Sequence, residues 1–299
     1  MNIDLTYTFK GHKGAVYAIC QGLKPTDLLS GGSDGLITHW EIGQEKDGVS
    51  IARMEDKIFC LLLDAKGQTL YVGTMSGDLY SIRLDGSAFV RRFRFHTKSI
   101  YRLALWNDFL ISISGDGIIS LWNTADGQWV HHLHLSPAKL RSLTVDEVNN
   151  MVYVGDGNGN LYQLKLPELK LIEKKIAAHD KTIFSMACLQ NPELVISGGI
   201  DARLKTWDNK LNNKIEQKAH WFAINDIVFL EGTDFIATAS RDKSIRIWQK
   251  QTLDLVKEIS RPKFAAHSHS VNSLCWFKES QILFSAGDDG MIYGWHITS

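Results

Sequence analysis

Residues 220–248 read HWFAINDIVFLEGTDFIATASRDKSIRIW, and the rest of the chain repeats this stretch. His220 opens it, an apolar run follows at Ile224, Ile227 and Phe229, and a turn falls at residues 231–233. FIATAS then leads into a tight turn at Arg241-Asp242-Lys243, and Trp248 closes the unit. A fixed period has to be sought before any other signal, because a missed repeat misassigns the whole fold. The same template places its last position at Trp40, Ile82, Trp122, Leu164, Trp207, Trp248 and Trp295, at successive spacings of 42, 40, 42, 43, 41 and 47 residues. The chain therefore holds seven units.

Each unit divides into an apolar first strand, a second ending in small residues, a third ending near the closing position, and a more polar fourth. In the first unit these are AVYAIC, DLLSGG, LITHW and VSIARM, with a tight turn at residues 33–35. Short apolar runs broken by turn residues every ten positions or so indicate an all-β chain. Four strands in a period of about 40 to 45 residues select a propeller blade.

On that pattern, with Gly11-His12 at one unit's start and Trp207-Asp208 at another's end, the chain resembles the WD40 family over essentially its whole length. The positions after the other blade tryptophans are Glu41, Asn123, Gln249 and His296, so the resemblance rests on the repeat more than on the dipeptide. It implies a seven-bladed β-propeller of four-stranded antiparallel blades forming a single domain over residues 1–299. In that family the N-terminal strand completes the last blade. Residues 4–9 (DLTYTF) are the strand here that has no blade of its own, and too few residues follow Trp295 for a fourth strand. Such a clasp removes sheet edges that would otherwise pair with other chains.

Five units share a polar set at fixed offsets. Six positions before the closing Trp stand Asp34, Asp116, Asp201, Asp242 and Asp289; ten before it stand Ser30, Ser112, Ser197, Thr238 and Ser285. The same blades open with His12, His96, His179, His220 and His267 and close on Trp40, Trp122, Trp207, Trp248 and Trp295. The second and fourth units lose all four together, with Met54, Val72, Ser76 and Ile82 in one and Ser136, Val154, Asn158 and Leu164 in the other. All-or-none loss is what a mutually satisfied network predicts, since a buried group left unpaired costs about 1 to 3 kcal/mol. The resemblance supplies the geometry: in WD40 folds this set is a hydrogen-bonded brace within a blade.

Lys plus Arg and Asp plus Glu both number 33, so the formal charge is zero. That balance offers nothing built to hold nucleic acid or an anionic membrane by charge alone. The Met-Asn-Ile-Asp start has no basic or long apolar leader, and no apolar run approaches membrane-spanning length, which predicts a soluble, cytoplasmic protein. Cys20, Cys60, Cys188 and Cys275 each fall in the first apolar run of a unit, the placement of buried reduced thiols.

Ser, His and Asp recur as a hydrolase triad requires, but a catalytic constellation occurs once and this one occurs five times at fixed offsets, so the set is structural. The run Asp156-Gly-Asn-Gly-Asn160 imitates the start of a calcium loop. Pro167 stands where an EF-hand places its Glu, however, and Asn158-Gly159 is preferred hairpin chemistry. His131, His132 and His134 lie on a fourth strand where His132 and His134 share a face, without further identifiable zinc ligands. No catalytic group, metal or cofactor is expected.

What remains is surface. The residue after the first apolar anchor of each first strand is expected at the mouth of the central channel: Tyr17, Phe59, Tyr101, Arg141, Phe184, Asn225 and Asn272. Four of these seven are aromatic, and large amphipathic rings with no stated partner are interface candidates. The family resemblance implies that this position can grip an inserted peptide side chain, often a cation between rings. Trp221 and Phe222 put two more rings in a connection on the same face, and residues 260–266 form the insertion behind the last spacing of 47. The expected function is non-catalytic scaffolding: a monomeric propeller within a complex, holding a protein or peptide partner across that face and binding neither nucleic acid nor membrane directly. The alternative is a propeller enzyme or a small-ligand or metal binder using the channel.

Overall fold

The computed structural model of the chain describes residues 1–44, 47–87, 89–189 and 194–298. Their strands form seven four-stranded antiparallel sheets. Six sheets take four consecutive strands each; blade one, for example, runs through Val16–Gln21, Asp27–Gly32, Leu36–Glu41 and Val49–Arg53. Blade seven consists of Val271–Phe277, Ile282–Gly287 and Met291–Thr298, and its outer strand is Asn2–Lys10 from the other end of the chain. In that pairing Leu5 faces Trp295 and Phe9 faces Ile292. The innermost strand of every blade touches the innermost strands of both neighbours, and the first touches the last, so the ring is closed.

Each blade is covered on both faces by its neighbours, which is why its second strand carries no polar alternation. DLLSGG, TLYVGT and ILFSAG are buried at every position. The core therefore lies between blades: Val16, Leu28 and Trp40 of blade one pack against Phe277, Phe284 and Ile292 of blade seven. Trp207, Trp248 and Trp295 are among the largest fully buried side chains, each contributing roughly 4 kcal/mol by transfer from water. The small residues ending the second strands have a packing reason. A Cβ on Gly73 would lie 2.8 Å from Cγ2 of Ile100, the first anchor of the next blade. Outer strands face solvent and are kept polar; Lys170–Lys175, KLIEKK, is exposed throughout, and its lysines discourage edge pairing.

Candidate functional site

A single irregularity, repeated seven times, builds the mouth of the channel. In each innermost strand the antiparallel register skips one residue, and the seven skipped residues are Tyr17, Phe59, Tyr101, Arg141, Phe184, Asn225 and Asn272. A bulge leaves its residue out of the ladder and re-aims the side chain. Here all seven side chains line one cavity of about 370 Å³ on the propeller axis.

The cup has two unlike halves. Tyr17 meets Phe59 edge-on at 5.3 Å between centroids, and Phe59 stacks on Tyr101 at 5.7 Å. The Arg141 guanidinium continues the arc, 3.8 Å from the Tyr101 ring centre and 4.9 Å from that of Phe184. The place between rings that the family resemblance reserves for an incoming cation is thus filled by the chain's own arginine. Burial pushes the pKa of Arg141 down and Tyr101 pulls it back up. Its buried Nε has no hydrogen-bond partner among the described residues. Blades six and seven supply the polar half. Asn225 Nδ2 donates to Ser270 Oγ (2.9 Å) and the Val271 carbonyl (2.8 Å), while Asn272 Nδ2 donates to the Val16 carbonyl (3.0 Å) and Asp288 (2.8 Å).

Beneath the rim an ion pair spans the channel. Arg102 of blade three reaches Asp226 of blade six, Nη2 to Oδ1 at 3.1 Å, and also donates to the Asn225 carbonyl. The other Asp226 oxygen accepts from the Leu274 amide at 2.8 Å. Burial raises the pKa of Asp226 against the pull of Arg102 and of that amide. Sequence reading missed this pair, although a signal was present. The residues following the rim positions are Ala18, Cys60, Arg102, Ser142, Ser185, Asp226 and Ser273: one cation and one anion, three blades apart, in a row of small side chains.

The loops around the cup are held by the polar quartets. In blade six His220 Nδ1 lies 2.9 Å from Asp242, His220 Nε2 lies 2.7 Å from Thr238 Oγ1, and Trp248 Nε1 donates to the same hydroxyl at 2.8 Å. Asp242 also accepts from the amides of Trp221 and Ser244, each at 3.0 Å, pinning the loop and the turn together. Blade one repeats the set with His12, Asp34, Ser30 and Trp40, and blade three with His96, Asp116, Ser112 and Trp122. Blade five uses His179, Asp201, Ser197 and Trp207; blade seven uses His267, Asp289, Ser285 and Trp295. Burial alone would raise the Asp116 pKa. The hydrogen bond and attraction of His96, with the Thr97 and Ile118 amides, more than reverse that and leave it at about 2. Asp34, Asp201, Asp242 and Asp289 are lowered by the same balance, and burial lowers His220 despite Asp242.

Blades two and four carry polar networks of their own. In blade four Asp156 is buried and collects hydrogen bonds from Ser136 Oγ (2.8 Å), Tyr162 Oη (2.9 Å), Asn160 Nδ2 (3.0 Å) and the Asn158 and Asn160 amides. In blade two Asp78 accepts from Ser76 at 3.0 Å and from Arg92 at 2.6 Å. The 156–160 run is accordingly a turn closed by its own Asp. His132 of the outer histidine run packs against Phe95 and Trp129, at 5.4 and 5.2 Å.

Trp221 is 71% exposed and Phe222 59% exposed, beside the cup rather than in it. Their loop is joined to the cup wall through Arg241, whose amide donates to the Ala223 carbonyl at 3.0 Å while its side chain lines the cavity. In the 260–266 insertion Phe264 and Ala266 turn inward, Phe264 lying edge-on to Trp295 at 6.1 Å, while residues 261–263 are exposed and Arg261 Nε donates to the Ala266 carbonyl at 2.7 Å.

A family model described as "WD domain, G-beta repeat" matches residues 3–41, 171–208, 212–249 and 259–296, together more than half of the chain. The unmatched stretch 42–170 contains both blades that lack the quartet. Striatin of Homo sapiens is 21% identical over 309 residues, covering 97% of this chain and 35% of striatin. Nuclear distribution protein PAC1 of Candida tropicalis is 28% identical over 122 residues, covering 40% of this chain and 24% of that protein. The chain thus spans about a third or less of the length of these relatives. The WD40 β-propeller domain of Doa1 superposes with a TM-score of 0.88 over 100% of this chain and 98% of that one, at 17% identity. Repeat pattern, closed seven-bladed ring and family match agree: the chain belongs to the WD40-repeat family of β-propellers.

Proposed function

We propose that this protein is a non-catalytic scaffold that holds a protein or peptide partner across the face carrying the blade-entry loops. The observation that carries this reading is the set of seven bulges, which aim seven side chains into one cup beside the exposed rings of Trp221 and Phe222. A closed ring fixes those loops before the partner arrives, so binding does not have to order them. Tyr17, Phe59, Tyr101, Arg141, Phe184, Trp221, Asn225 and Asn272 form the contact surface of a monomeric propeller working inside a complex. A cytoplasmic setting fits the four free cysteines, all buried or half-buried. No helix among the described residues is long and apolar enough to cross a membrane.

The test is affinity capture from the native cell with wild type and with Tyr17→Ala, Tyr101→Ala, Arg141→Ala and Trp221→Ala. Binding hot spots are enriched in these residue types, so at least one variant should weaken capture about tenfold or more while its melting temperature stays near that of wild type. Unchanged capture by all four removes this face as the binding surface.

A further inference from the structure

Resting on that reading, we infer that the cup receives an acidic side chain, an Asp or Glu carried on a peptide segment of the partner. Three arginines, Arg102, Arg141 and Arg241, and one aspartate, Asp288, contribute to the cavity wall. Arg102 is matched by Asp226 at 3.1 Å, and Asp288 accepts from Asn272 at 2.8 Å. Arg141 is left between two rings with a buried Nε that nothing among the described residues accepts from. A buried guanidinium without a carboxylate is an uncompensated cation, and its planar fork suits a carboxylate in two-point contact. The stacking that holds it also blocks the gap between Tyr101 and Phe184 to a second cation.

The surroundings have the same sign. The loops that deliver the arc from blades two to five carry Lys57, Lys98, Lys139 and Lys181, all exposed, against Glu55, Asp56 and Asp180, and the wall adds Arg141 and Arg241 to that side. In a chain with 33 basic and 33 acidic residues, a cationic surplus around one cavity is local rather than general. Cup volume further favours a peptide over nucleic acid: about 370 Å³ admits a side chain, and the cations ring one cavity instead of tracking a backbone. Through Arg241 the cup runs on to Trp221 and Phe222, which gives the flanking residues of the segment an apolar place to lie.

The experiment is selection of a displayed library of random short peptides on the purified protein, at low salt. Recovered peptides should share an Asp or Glu at one position and bind about tenfold or more weakly to Arg141→Gln, with affinity falling as salt rises. Arg241→Gln, at an exposed position, provides the same reading if Arg141→Gln fails to fold. Peptides that share a Lys, an Arg or no charge, yet are lost on Tyr101→Ala, overturn the acidic inference and leave the scaffold face standing. Retention unaffected by Tyr101, Arg141 and Arg241 substitutions, or no enrichment at all, overturns both. Binding of a single-stranded oligonucleotide in preference to the acidic peptides also overturns the inference.

Discussion

Two rings of positions run through this molecule, and they are filled by opposite rules. The quartet ring repeats one chemistry: His, Ser or Thr, Asp and Trp recur in five blades with matching contacts, down to a His-to-hydroxyl approach of 2.7 Å in blades one, five and six. The rim ring repeats only a geometry. The same bulge in all seven blades presents Tyr, Phe, Tyr, Arg, Phe, Asn and Asn. A fold needs every blade to solve the same problem, so its residues recur. A partner is not sevenfold symmetric, so a surface that recognises one has to break the repeat.

The difference is broken most severely at Asp242. Replacing it with Ala removes the acceptor of His220, of two amides and of Ser244 Oγ at once, all inside the blade. The expected loss is about 4 kcal/mol of unfolding free energy in urea, because several charge-assisted bonds fail together and leave donors unpaired. Lys243→Ala in the same turn should change stability by less than about 0.5 kcal/mol. Equal losses for the two variants would remove the quartet from the account of stability.

How far the sequence discloses the molecule follows the same division. The quartets are legible because fixed offsets to Trp40, Trp122, Trp207, Trp248 and Trp295 survive in one dimension. The rim positions are legible too, since the anchor before each is apolar in every unit. The replacement networks of Asp78 and Asp156 are not, because Arg92 and Tyr162 reach those carboxylates from offsets that no other blade uses. Arg102–Asp226 is hidden for a further reason: 124 residues separate the partners, and only closure of the ring places them across an axis from each other. The cation between Tyr101 and Phe184 likewise becomes visible only when three consecutive blades are set side by side.

The cross-channel pair belongs to neither ring, and a substitution there sharpens the contrast. Arg102→Met leaves Asp226 under the rim with no cation, held only by the Leu274 and Ile227 amides and the Ser273 hydroxyl. Breaking a buried pair from one side costs about 3 to 5 kcal/mol, and partial exposure of both side chains puts this case near 3. Adding Asp226→Leu should recover most of that loss in urea denaturation, since no charge is then left behind. If the double variant is as unstable as the single one, the pair is not what holds blades three and six across the channel.

The smallest effect per residue is the acid response of the quartets, and its sign distinguishes them from Asp226. Asp116 titrates near 4 when unfolded and at about 2 when folded, so its carboxylate stabilises the protein above pH 4 and that contribution is lost as the pH falls towards 2. Over that window the loss is about 2 kcal/mol for this residue, with Asp34, Asp201, Asp242 and Asp289 shifted in the same direction. His220, lowered by burial, adds to the trend at higher pH, because the unfolded ring takes up its proton first as the solution is acidified. Asp226 is raised, so its contribution runs the other way and weakens as the pH rises through its folded value. Urea unfolding followed from pH 7 downwards should therefore show a steep loss below pH 4 in wild type. Asp116→Asn should be less stable at pH 7 and should lose less on acidification. An acid limb of the same slope in that variant would mean that His96 does not hold the Asp116 carboxyl in its charged form.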